Sequence, residues 1–167
     1  MRYLFFLVSF LFVTCPVFSQ LSSDSPIYCS CTLHYPSDLG AKINTIDATY
    51  SFFQRVYSNH SEDINLTFVM DTNRSYDGDI DMLFEGTYYQ QISGLLEKGI
   101  KVPYKTMNLN KKFWVVSWSE GNWNYYVKRY LHSYSFYTWI LKWNRTDKDT
   151  HALAQSYLNN NRIYFTW

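Results

Sequence analysis

Ile46, Ala48, Tyr50 and Phe52 alternate with Asp47, Thr49 and Ser51, the period of two that sends successive side chains to opposite faces of a strand. A second alternation follows the turn-like Ser58-Asn59-His60-Ser61, with Ile64, Leu66, Phe68 and Met70 on one face. The two segments are expected to form a hairpin. Over 79–98 the period changes. Ile80, Leu83, Phe84, Thr87, Tyr88, Gln91, Ile92, Leu95 and Leu96 make a stripe down one side of a helix, with Asp77 or Gly78 at its start and Gly99 as its stop.

From residue 104 the pattern returns to strands, at 104–109, 113–118, 123–132 and 135–143. Asn108-Leu109-Asn110-Lys111 and Ser119-Glu120-Gly121-Asn122 supply turn chemistry, and connections this short join antiparallel neighbours. Thr146 to Asp149 resembles a capping box with Asp in place of Glu, opening a helix to about Leu158 that Asn159-Asn160-Asn161 ends. A last short strand covers 163–167. Antiparallel runs with separate helices predict an α+β fold, an antiparallel sheet of five to six strands flanked by two helices in an α/β/α sandwich-like arrangement. Residues 20–41, rich in Ser and Asp at first, read as a leader, and 42–167 as a single domain.

The N-terminus reads as a secretory signal over residues 1–19. Arg2 precedes an uncharged apolar run from Leu4 to Val13, too short for a bilayer, which needs about 20 residues. Val17-Phe18-Ser19 before Gln20 fits a cleavage site, whereas Pro16 directly after Cys15 does not fit a lipoprotein signal. The expected location is secreted or periplasmic, soluble after cleavage, with no membrane span. Of 15 Lys plus Arg, one is Arg2, and the remaining 14 balance 14 Asp plus Glu. That balance gives no attraction to nucleic acid.

Aromatic residues form 20% of the chain, concentrated in the expected strands. Such residues pack in cross-strand pairs on half-buried pleats. They also build binding faces for protein or carbohydrate, because Tyr and Trp join a large apolar area to a polar handle. On the second reading the candidate contacts are Trp114, Trp118, Trp123, Tyr125, Trp139 and Trp143, although alternation assigns some of them to the core.

Cys29 and Cys31 flank one residue. A local disulfide there closes almost no loop and stabilises little. Idle thiols, intermolecular pairing, and a redox or metal role stay open. Asn73, Ser75, Asp77, Asp79 and Asp81, with Gly78 at the sixth position, echo a calcium loop running into a helix. The twelfth position is Phe84 rather than the bidentate Glu, and acids before a helix also suit its positive N-terminus without metal. No cofactor is otherwise expected. His34, His60, His132 and His151 share no ligand spacing, and no nucleophile elbow or phosphate loop is present. Carboxylates such as Asp47 and Glu120 come together, if at all, only in the fold. Asn59, Asn65, Asn73 and Asn144 begin glycosylation sequons.

The element order, with a long helix after the first hairpin, an aromatic meander containing Lys112-Phe113-Trp114-Val115-Val116-Ser117, and a late helix leading to a terminal strand, resembles the PsbP/DcrB group over residues 42–167. The resemblance implies an antiparallel sheet flanked by helices and an accessory or binding role, with no catalytic residues to carry over. The acidic turn and Cys29-Ser30-Cys31 are not features of that group. The resulting expectation is an exported non-enzymatic binding or accessory protein that uses an aromatic-rich sheet face. The alternative is a small extracytoplasmic hydrolase whose acids assemble in the fold.

Overall fold

A computed structural model describes residues 21–25, 29, 31–46, 52–72 and 76–167, of which 42–46 are described by their backbone alone. The expected signal peptide, Asn73, Ser75 and Asp47 lie outside the described residues. The strands are β1 (Leu21–Asp24), β2 (Thr32–Pro36), β3 (Gly40–Ile46), β4 (Phe52–Ser58) and β5 (Ile64–Thr72), followed by α1 (Ile80–Glu97). Next come β6 (Tyr104–Asn108), β7 (Phe113–Glu120), β8 (Trp123–His132), β9 (Ser135–Asn144), α2 (Lys148–Asn159) and β10 (Tyr164–Thr166). Seven strands form an antiparallel sheet in the order β3-β4-β5-β9-β8-β7-β6, and β1-β2-β10 form a second, smaller one. The α+β architecture is as the periodicity indicates, with a larger main sheet than five to six strands.

Alternation along the strands creates two cores. On one face Trp114 and Val116 of β7, Val127 of β8 and Phe136 of β9 meet Phe84, Tyr88 and Leu95 of α1. On the opposite face Leu66 and Phe68 of β5 and Tyr137, Trp139, Leu141 and Trp143 of β9 meet Ala154 and Tyr157 of α2 and Leu33 of the small sheet. Helix α1 therefore covers one side of the main sheet, and α2 with the small sheet covers the other.

The helix ends follow from single residues. Asp79 caps α1 by accepting from the N–H groups of Asp81 and Met82 at 2.9 and 3.2 Å. This places the cap one or two positions later than the expected Asp77 or Gly78. At the other end Gly99 takes a left-handed φ of 72°. Its N–H bonds Leu96 O, and that of Ile100 bonds Leu95 O, which satisfies two terminal carbonyls in a Schellman pair. Helix α2 is capped by Asp147, one residue after Thr146, through a bond from Thr150 N. It ends in the same way as α1, with Asn161 at φ 49° in the place of glycine.

Two expectations need correction. The partner of β5 in its hairpin is β4, not a strand over 46–52. Of the expected strand, Ile46 belongs to β3 and Phe52 to β4, and 47–51 lie outside the described residues. Strand β4 escaped the pattern because Arg55 shares its inward face with Phe53 and Tyr57, so the charge breaks the apolar alternation. Segment 20–41, expected as a leader, carries β1 and β2 and starts β3. The two corrections share a cause: Asp24 of β1 accepts from the Arg55 guanidinium and from Tyr57 Oη, the latter at 3.1 Å. Side-chain exposures of 12% for Arg55 and 25% for Asp24 leave the pair partly shielded from water.

Asp24→Ala is expected to cost about 1–3 kcal/mol, because it strips the acceptor from two part-buried donors. Urea denaturation measures this; a change below about 0.5 kcal/mol, the size of an ordinary surface substitution, would show that β1 is not docked through this contact.

Candidate functional site

Three of the six aromatic contact candidates are core. Trp114 and Trp139 are 1% exposed and Trp143 is 3% exposed, so none of them belongs to an exposed aromatic face. Their polar ends bear this out for two: Trp114 Nε1 donates to Thr87 Oγ1 at 3.2 Å and Trp143 Nε1 to His151 Nδ1 at 3.0 Å. Both bonds tie a strand to the helix covering its face.

The other three stand together on the α1 side of the sheet. Trp118 pairs with Tyr125 across β7 and β8, and Tyr125 with Lys142 across β8 and β9. The Trp118 and Tyr125 rings stack with centroids 4.9 Å apart and planes 6° from parallel. Lys142 Nζ lies 4.2 Å from the Trp123 centroid and 5.8 Å from that of Tyr125, within the range of cation–π attraction. All four side chains are half-buried. Burial, followed by the nearby Glu120 carboxylate, raises the Tyr125 phenol above its ordinary pKa. Trp118 Nε1 is buried without a hydrogen-bond partner.

Stacking decides what this patch can do. The Trp118 and Tyr125 rings spend a face on each other, and Lys142 sits over Trp123. The patch therefore combines aromatic surface with a phenol hydroxyl and an ammonium group. A shallow groove lined by Ile100, Pro103, Ser119, Glu120 and Gly121 continues the surface past the β7–β8 turn.

Further along the same face a cleft of about 400 Å3 opens between α1 and the sheet, lined by Thr87, Gln90, Gln91, Lys98 and Arg129 among others. Arg129 is fixed there by its Nε bond to Thr138 Oγ1 at 2.9 Å and by the Trp114 and Phe136 rings, whose centroids lie 5.5 and 5.4 Å from Cζ. No carboxylate lines this cleft.

Two acids of the expected calcium loop have protein partners. Asp79 caps α1, and Asp81 forms an ion pair with Lys112. Among the described residues no group of three His, Cys, Asp or Glu side chains is placed to hold a metal. Cys29 and Cys31 are joined by a disulfide with Cα atoms 5.1 Å apart, and Cys31 is buried beside Leu33 in the α2-side core. Among the sequon asparagines, Asn59 accepts from Ile64 N and Asn65 donates to Glu62 O, so both amides serve the β4–β5 turn.

No protein-family model matches the sequence. No curated protein matches it either. Among solved structures, the solution structure of cyanobacterial PsbP (CyanoP) from Synechocystis sp. PCC 6803 superposes with a TM-score of 0.59 at 11% identity, covering 89% of this chain and 94% of that one. The fold is thus PsbP-like. No helix among the described residues is long and apolar enough to cross a membrane.

Proposed function

We propose that this chain is a non-catalytic accessory protein that seats a protein partner on the α1-side patch of Trp118, Trp123, Tyr125 and Lys142. The observation that carries the reading is the Trp118–Tyr125 stack with its Lys142 flank. It is a rigid, half-exposed cluster held on adjacent strands, and it contains the residue types that dominate the energetics of protein interfaces. Aromatic surface with a phenol hydroxyl and an ammonium beside it suits a peptide surface. Glu120 near Tyr125 and Lys142 over Trp123 give the cluster charged groups of both signs. The PsbP-like fold and the accessory role implied by the family resemblance point the same way. A hydrolase built on acids assembled in the fold would need converging carboxylates, whereas the Arg129 cleft is lined by amides and cations among other residues.

The test is capture of a partner by the tagged chain, identified by mass spectrometry and compared across variants. The double substitution Trp123→Ala/Tyr125→Ala is expected to lower recovery of the specific partner at least tenfold, as loss of two central anchors would. Leu153→Ser on exposed α2, across the sheet, should leave recovery unchanged. Equal capture by all three chains would remove this surface from consideration.

A further inference from the structure

The opposite face of the sheet carries a second, smaller site of different chemistry. A pocket of about 360 Å3, its open mouth included, lies where β8 and β9 meet the end of α2. It is lined by Tyr126, Lys128, Trp139, Leu141, Leu158, Asn161 and Ile163. Its rim follows from the way α2 ends, since left-handed Asn161 turns the chain so that Leu158, Asn161 and Ile163 all face one opening.

Every polar side chain in this lining can donate, and none is an acid. Lys128 is half-buried on the strand face that also carries Tyr126 and Tyr130. Among the described residues no carboxylate pairs with its ammonium group, which lies 5.1 and 4.9 Å from the ring centroids of Phe113 and Tyr130. Burial pulls the Lys128 ammonium below its ordinary pKa and pushes the Tyr126 phenol up to about 12, so the hydroxyl is a neutral donor at physiological pH. Trp139, at 1% exposure, lines the same pocket, and its buried Nε1–H has no hydrogen-bond partner. An unpaired buried N–H costs free energy that an acceptor would recover.

We propose that this pocket binds a small organic monocarboxylate, with its head group held by Lys128, Trp139 Nε1 and Tyr126 and its apolar end along Leu141, Leu158 and Ile163. The pocket has room for one or two water-sized groups, which suits a carboxylate head and leaves the tail toward the mouth. A carboxylate supplies the acceptors that the donor set lacks, and its charge answers the ammonium. An uncharged ligand answers only the N–H and hydroxyl.

Hexanoate is the probe, and the indole N–H resonances of the intact chain are the readout. Titration is expected to move the Trp139 N–H saturably while the Trp114 N–H, bonded to Thr87, stays in place. Hexanamide should bind about tenfold more weakly or worse, as should hexanoate to Lys128→Met, because each exchange removes a charge-assisted contact. Lys128→Met keeps the aliphatic stem, and its folding is checked by the same spectrum. If the Trp139 N–H is unmoved by hexanoate, the site is refuted. Equal binding of hexanamide, or unchanged affinity in Lys128→Met, would refute the anion assignment. Because the pocket and the Trp118 patch lie on opposite faces, loss of one result leaves the other standing.

Discussion

Trp114→Ala is expected to destabilise the fold by about 3–5 kcal/mol, the range for truncating a buried large aromatic, against a total of about 5–15 kcal/mol for a domain. Three contacts set the figure toward the upper end. The indole fills the layer between β7 and α1 at 1% exposure, its ring lies 6.0 Å from that of Tyr88, and its N–H satisfies Thr87 Oγ1. Thr87 in turn donates to Phe84 O at 2.7 Å, so the truncation also loosens the middle of the helix. Arg129 loses one of the two rings that hold it. The half-exposed Trp123 makes no such bridge, and Trp123→Ala should cost about 1 kcal/mol or less of stability, as area loss at a partly wet site does. Urea denaturation of both variants gives the comparison. Equal costs for the two would mean that α1 is not held to the sheet through Trp114.

That contrast marks how far the sequence could be read. The meander was legible because its turns are spelled out. Gly121 sits at φ 56° between β7 and β8, and each strand alternates cleanly enough to bracket its own ends. Helix α1 was legible for the same kind of reason, with an apolar stripe between Asp79 and Gly99. The aromatic contacts were only half legible. Alternation places Trp114, Trp118, Trp123 and Tyr125 on one face and Trp139 and Trp143 on the other, but it does not say where a helix will lie. Helix α1 covers Trp114 and leaves Trp118 at its margin. The signal for the second pocket was present but unread, since Lys128 falls between Tyr126 and Tyr130 on an inward face, where an unpaired ammonium is out of place. Strands β1 and β4 were illegible singly because each carries one member of the Asp24–Arg55 pair, and a charge looks like surface until its partner is known.

The buried tyrosines predict a steep loss of stability in alkali. Tyr126 and Tyr130 are pushed up to about 12, both by burial. Tyr57 and Tyr157 are raised further still, first by burial and then through the carboxylates of Asp24 and Asp38 that their hydroxyls bond. Ionising either would set two negative charges side by side; Arg55 and Arg162 offset this only in part. A tyrosine raised in this way keeps its proton in the fold after the unfolded chain has lost its own near pH 10. The unfolded state then binds fewer protons, so the stabilisation is complete below about pH 10 and is lost as pH rises through the folded values. Several such groups act together, and unfolding is expected as one cooperative step between about pH 10 and 12. Tyrosinate absorbance and near-ultraviolet circular dichroism should change together in that step. Tyr130→Phe removes one ionisation without removing a side-chain hydrogen bond and should move the midpoint to higher pH. Tyrosinate forming in full while the dichroism persists would mean that the Tyr57 and Tyr157 hydroxyls reach solvent in the folded chain, and that the core around them is not closed.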